Sequence, residues 1–147
     1  MKTSGGAGGR RVLEGKCLCG AVHYAVADKF NYALNCHCSD CRRATGSAFK
    51  PFAGTERDNL GISRGEERIL IFGDKDGDHD VRCMACGSLL YSVVNDGTFV
   101  HVALGTVVDE PSIRPTAHIF VGDKAPWFEI ADGLPQHQGH VQSAIGP

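Results

Sequence analysis

Seven cysteines in three short clusters constrain this chain more than any other feature: CLC at 17–19, CHCSDC at 36–41 and CMAC at 83–86. Thiols spaced one or two residues apart reach a single ion with little loop-closure entropy. A tetrahedral site is completed when a second pair arrives from elsewhere in the fold. An odd number of cysteines fits poorly with a disulfide framework. The opening MKTSGGAGGR has no signal-peptide-like apolar core, and no apolar run approaches the length of a membrane-spanning helix. The expectation is a cytoplasmic protein, where thiols stay reduced and clustered cysteines bind metal more often than they pair. The 147 residues, 42% apolar and 22% charged with a formal charge of −2, are enough for one soluble domain with a single core. That charge balance excludes a basic nucleic-acid-binding module, and neither nucleic acid nor membrane is an expected partner.

The rest of the sequence reads as short strands separated by turns. Residues 1–10, rich in glycine, read as a flexible leader. Residues 11–136 read as one zinc-binding domain and 137–147 as a C-terminal tail. Val22, Tyr24 and Val26 alternate with smaller or polar neighbours, as a half-buried strand does. Tyr32, Leu34, Cys36 and Cys38 continue a period of two, which puts both thiols on one face of an extended segment and His37 on the other. Further apolar runs are RILIF (68–72), SLLYSVV (88–94), TFVHVAL (98–104) and AHIFV (117–121), with a hairpin turn expected at Asn95-Asp96-Gly97. Helix signals are scarce. Ser39 is placed to cap one short turn after the CxCxxC cluster, ended by Gly46. The fold class expected is mainly antiparallel β.

Three partitions of the cysteines follow from spacing. Cys17, Cys19, Cys83 and Cys86 would form a closed four-thiolate zinc site, leaving Cys36, Cys38 and Cys41 one ligand short. His37 or another histidine could complete that second site and make it structural, although a residue between two ligands on an extended strand points away from them. Alternatively, the pairs combine differently and Cys41 is a free thiol. His23 and His101 lie inside strand patterns and read as packed or exposed strand residues. Asp74-Lys75-Asp76-Gly77-Asp78 resembles the start of a calcium loop, but His79 and Ala85 stand where the glycine and glutamate belong, so it reads as a charged turn.

The strings GKCLCGAVHYAV, NCHCSDCRRATGSAF and CMACGSLLY, with the closing KAPWFEIADGLPQ, resemble the glutathione-dependent formaldehyde-activating family, which includes centromere protein V. The resemblance runs from about Gly15 to Gln136. It implies a β-tent of short antiparallel strands in small sheets, stapled by zinc. It also implies two zinc ions: a structural one on Cys17, Cys19, Cys83 and Cys86, and a catalytic one on Cys36, Cys38 and Cys41 with an open position.

The activity so implied is that of a carbon–sulfur lyase. Glutathione or another small thiol would bind the open zinc and add to formaldehyde or another small aldehyde, giving S-hydroxymethylglutathione in the first case. Arg42 and Arg43, directly after Cys41, are candidates for holding a substrate carboxylate. His118 and Trp127 are candidates for lining the pocket. The alternatives are a zinc-stapled protein-interaction module and a related thiol-adduct enzyme with another substrate. A methionine sulfoxide reductase of the B type is nearly excluded, because its chemistry needs a late nucleophilic cysteine and no cysteine follows Cys86.

Overall fold

The computed structural model describes residues 11–141. The leader read at 1–10 and the last six residues of the tail lie outside the described residues. In chain order the elements are β1 (Val12–Lys16), β2 (His23–Ala27), β3 (Tyr32–Cys36), the helix α1 (Ser39–Thr45), β4 (Lys50–Glu56) and β5 (Leu60–Arg64). They continue with β6 (Ile69–Gly73), β7 (His79–Cys83), β8 (Leu89–Val94), β9 (Phe99–Ala103) and β10 (His118–Ile119). The fold is mainly β, as the alternating pattern implies. Among the described residues no helix is long and apolar enough to cross a membrane.

Two sheets result. One has three strands in the order β1-β2-β5, and the other has seven in the order β10-β3-β4-β9-β8-β7-β6. All pairs are antiparallel except β10 with β3, a two-residue parallel contact through His118 and Ile119. Antiparallel neighbours follow from short connections. The β8–β9 turn is built where expected: Asn95, Asp96 and Gly97 take left-handed φ values of 60°, 59° and 84°, which these residue types tolerate. The charged run 74–78 is likewise a turn, joining β6 to β7, closed by Asp74 N–H to Asp78 C=O at 3.0 Å and Gly77 N–H to Asp74 C=O at 2.9 Å.

Strands β1, β4, β5 and β7 escaped the pattern reading. Pro51 obscures β4, since proline cannot donate to a ladder. It is accommodated because β4 pairs with β9 only from Phe52 onward, so the strand is unpaired on that side at Pro51. The helix also differs at its start. Ser39 is the first helical residue, and the cap is Cys38, extended at φ −62° and ψ 155°, whose sulfur accepts the Cys41 N–H at 3.3 Å. Sulfur takes the capping role because Cys38 is the last residue before the chain turns helical. Gly46 ends the helix at φ 63°, as expected.

Two groups of buried side chains make the core. In the first, Leu13, Tyr24 and Val26 of the small sheet meet Val81, Leu90, Tyr91, Val93, Val100 and Val102 of the large one, and Cys17 and Cys83 belong to the same cluster. The second packs Tyr32, Leu34 and Cys36 against Phe52, Ala117 and Ile119, with Cys38 and Cys41 against its edge. Each group of thiols is therefore attached to its own part of the core.

Two tyrosines lie over glycines on paired strands: Tyr24 opposite Gly15, and Tyr32 opposite Gly54. A Cβ at Gly15 would stand 2.0 Å from Tyr24 Cζ. The ring cannot retreat, being fully buried with its hydroxyl 2.7 Å from Thr106 Oγ1. Gly15→Ala should thus destabilise the fold by about 1–3 kcal/mol, as overpacking does. A lowered denaturant midpoint would show it, and an unchanged midpoint would mean that Tyr24 can move.

Candidate metal centre and its cavity

Cys17 follows β1 and Cys19 lies in the next turn, while Cys83 ends β7 and Cys86 lies in the turn after it. Pairing within each sheet and packing between the sheets bring the four sulfurs within 4.8 Å of one another. The Cys17–Cys19 and Cys19–Cys83 sulfur separations are both 3.8 Å. Four thiolates at the usual Zn–S distance of about 2.3 Å stand roughly 3.8 Å apart, so the donor set and spacing fit zinc. Backbone N–H groups point at these sulfurs: Val22 at Cys17 (3.3 Å), and Ala85 and Cys86 at Cys83 (3.3 and 3.4 Å). Hydrogen bonds from the Ser88 side chain and backbone hold the Cys86 thiol down to about 5. Donors of this kind favour the thiolate, the form that binds metal.

The second group forms where β3 gives way to α1. Cys36 ends the strand, Cys38 caps the helix and Cys41 lies in its first turn, and the three sulfurs lie within 4.8 Å of one another. Among the described residues no histidine or carboxylate joins them. Hydrogen bonding with Cys36 brings the Cys41 thiol down to about 6 against the opposing effect of burial, helped by the charge of Lys50. The same bond and burial push Cys36 up. Lys50 is itself buried and stands opposite Cys36 on β4. Its ammonium donates to Ser92 Oγ at 3.0 Å, and that hydroxyl donates to Asp80 Oδ1 at 2.6 Å.

His37, the rival fourth ligand, is engaged elsewhere. Its Nε2 is 2.8 Å from His118 Nδ1, and His118 Nε2 is 2.9 Å from Asp132 Oδ2. Both rings are buried, and His37 Nδ1 is a buried polar atom with no hydrogen-bond partner. Burial, then the neighbouring His118, lowers His37 to about 4, while the His118 hydrogen bond holds Asp132 below the usual carboxylate range. The result is a polar brace between the CHC segment and the C-terminal stretch.

A cavity of 440 Å³ opens beside Cys36 and Cys41, with Lys50 and His101 also in its wall. None of the other sequence candidates is among the residues lining it. Arg42 donates from Nε to the Asp123 carbonyl at 3.1 Å, tying α1 to a turn of the C-terminal stretch. Arg43 borders a separate depression with Asp40, Phe72 and Arg82. His118 is buried in the brace, and Trp127 is 71% exposed. His23 pairs with Glu14 at 2.8 Å on the small sheet.

Lys50 and His101 were missed as site residues because Lys50 lies on a strand that the pattern does not reveal and His101 is an isolated polar residue in a strand pattern. The signal available for Lys50 was its place just beyond the CHCSDC string. His101 lies stacked on Phe52, with ring centroids 4.2 Å apart, and its Nε2 is 2.8 Å from the Tyr32 hydroxyl.

Comparison with known proteins shows the family and the fold. The model of the glutathione-dependent formaldehyde-activating enzyme family matches residues 12–123. A Halomonas elongata protein provisionally named as a glutathione-dependent formaldehyde-activating enzyme is 29% identical over 129 residues, covering 81% of each chain. A crystal structure of a Rhodobacter sphaeroides protein superposes with a TM-score of 0.54 at 23% identity, covering 69% of this chain and 97% of that one. At that identity the likeness speaks for the fold.

Two predictions follow from the site. If the four-sulfur group is structural, Cys83→Ser should give insoluble or strongly destabilised protein, because structural zinc contributes folding free energy outright. Cys38→Ser should remain folded with one zinc in place of two; metal content and thermal melts distinguish the cases, and indistinguishable variants would refute the division.

The second concerns acid. Burial, then the charges of Lys50 and His140, lower His101 from 6.5 to about 3. Between those pH values the unfolded chain binds a proton that the folded one refuses, so this residue makes stability fall as pH falls. His101→Gln should flatten the stability–pH slope there by up to about 1.4 kcal/mol per pH unit. Parallel curves for the two proteins would count against it.

Proposed function

The chain belongs to the glutathione-dependent formaldehyde-activating family, and from that premise we propose that it joins a small thiol to a small aldehyde at the three-cysteine centre. Glutathione and formaldehyde, the pair for which the family is named, are the first substrates to test. The observation that carries the proposal is the contrast between the two thiol groups. One gathers four sulfurs, two of them buried in the core between the sheets, whereas the other gathers three beside a 440 Å³ cavity. A four-thiolate zinc site is closed and structural, while a three-ligand site leaves a position for a reactant.

Cys17, Cys19, Cys83 and Cys86 would hold one zinc ion, and Cys36, Cys38 and Cys41 the other. Zinc at the second site supplies thiol acidity, lowering the pKa of a bound thiol well below the ordinary value of about 8.5. The protein's own residues do the rest. Lys50 places a buried ammonium beside Cys41, offsetting the negative charge that gathers among the sulfurs. The cavity wall sets aside space for the reactants. Arg42, through the Asp123 carbonyl, braces the helix that carries Cys38 and Cys41.

The reaction conserves the thiol and the carbonyl in one product. The substrate sulfur donates an electron pair to the carbonyl carbon and forms the C–S bond. The C=O π pair moves to oxygen, which takes a proton from solvent in place of the one the thiol lost. The reverse cleaves the C–S bond, which is the direction the lyase class names.

Thiols and formaldehyde combine without a catalyst, so the protein must act on the rate of exchange and not on the equilibrium. Exchange NMR of an equilibrating glutathione–formaldehyde mixture should show faster interconversion with the zinc-loaded protein. Cys41→Ser should abolish the increment, while Arg42→Ala, which loosens the helix without removing a sulfur, should reduce it by less. An exchange rate unaffected by fully loaded wild-type protein would remove glutathione and formaldehyde as its substrates.

A further inference from the structure

We propose that the cavity beside Cys36 and Cys41 receives an apolar group of the substrate, of about the size of a phenyl ring or a branched alkyl chain. This rests on the thiol–aldehyde reading above and names its substrate class.

Size is the first argument. The 440 Å³ cavity is more than ten times the ~30 Å³ that a water molecule occupies in the liquid. Formaldehyde, with two heavy atoms, accounts for little of it, so most of the space is left for the side groups of the reactants. Its volume instead falls in the range of pockets that enclose organic ligands, roughly 300–1,000 Å³.

Chemistry is the second. The wall is formed by Tyr32, Leu34, Phe52, Ile119, Phe120 and Val141, all apolar or aromatic. Its polar members contact neighbours, with Lys50 spending one of its three N–H donors in doing so. Lys50 donates to Ser92, the Tyr32 hydroxyl meets His101, and the His140 ring lies edge-on to Phe120, with centroids 4.7 Å apart. Away from Lys50, a carboxylate pushed against this wall would lose its hydration with few donors to replace it. An apolar group gains from the same burial.

Phe120 is the third. It is an aromatic residue in the left-handed region, at φ 55° and ψ 39°. That conformation is disfavoured for a bulky side chain and persists only where the surroundings enforce it. Here the Phe120 N–H donates to the Gly139 carbonyl at 2.9 Å, and the ring forms part of the cavity wall. Glycine would adopt this backbone without strain, so the side chain's contribution is the wall it builds.

The test uses the full, reduced, zinc-loaded chain and benzyl alcohol, which carries neither reactive group. Saturation-transfer NMR should show its ring protons in contact with the protein. Phe120→Gly, which relieves the backbone while deleting the ring, should weaken binding at least fivefold in a protein that still melts cooperatively. Val141→Trp, which fills the cavity from its rim, should abolish binding. Two further arms identify the carrier of the apolar group: benzyl mercaptan binding at least tenfold tighter than glutathione assigns it to the thiol, and faster exchange of glutathione with benzaldehyde than with formaldehyde assigns it to the aldehyde. Benzyl alcohol that does not bind, or that binds both variants as well as wild type, overturns the proposal. Benzyl alcohol that binds wild type alone, with no thiol–aldehyde exchange accelerated, overturns the catalytic reading and leaves the apolar site standing.

Discussion

The structure depends first on the meeting of two turns far apart in sequence. The turn after β1 brings Cys17 and Cys19, and the end of β7 brings Cys83 and Cys86, until four sulfurs stand within 4.8 Å. The hydrophobic cluster that joins the sheets contains Cys17 and Cys83 themselves. Burial of apolar surface and the gathering of thiols are therefore one arrangement, and neither can be disturbed alone. The Val22 N–H aimed at Cys17 adds a further constraint, since it favours the thiolate in a setting where uncompensated charge would be costly.

The second thiol group is held by a different device. A strand ends at Cys36, a helix starts at Ser39, and the Cys38 sulfur that caps the helix is also one of the three. A short helix has little stability of its own. It is fastened instead by contacts that reach back to it: Arg42 to the Asp123 carbonyl, and Arg82 to the Ala44 carbonyl. Arg82 also donates to the Gly87 carbonyl at 2.9 Å, so a single side chain links the helix to the turn that follows Cys86. The two centres are thus mechanically connected through one arginine.

The C-terminal stretch completes the site. Parallel pairing of β10 with β3 carries His118 to His37 and Ile119 alongside Cys36. Asp132 reaches His118 from beyond it, and residues 137–139 bond back to 118–121 through the His137, Phe120 and Val121 N–H groups. The His37–His118–Asp132 chain therefore ties the CHC segment to the C-terminal stretch by side-chain hydrogen bonds. The same stretch supplies Phe120, His140 and Val141 to the cavity, so its mainly apolar wall is assembled from β3, β4 and the end of the chain.

Much of this was legible in the residues alone. The cysteine spacings point to metal, alternation of apolar residues points to a mainly β fold, and Asn95-Asp96-Gly97 points to a hairpin, because each of these signals is local. The strand carrying Pro51 was not legible, since its tolerance depends on where β9 begins to pair. Nor was the role of Lys50, which follows from its register opposite Cys36 on a neighbouring strand. Arg42 and Arg43 are adjacent in sequence, yet one binds the C-terminal stretch and the other faces a separate depression, because successive residues of a helix point in different directions. The sequence by itself determined which atoms could hold metal and how short the elements must be. Tertiary structure decided which thiols meet, which histidine is turned away and what the three-cysteine group faces, because these depend on contacts between residues tens of positions apart that only packing brings together.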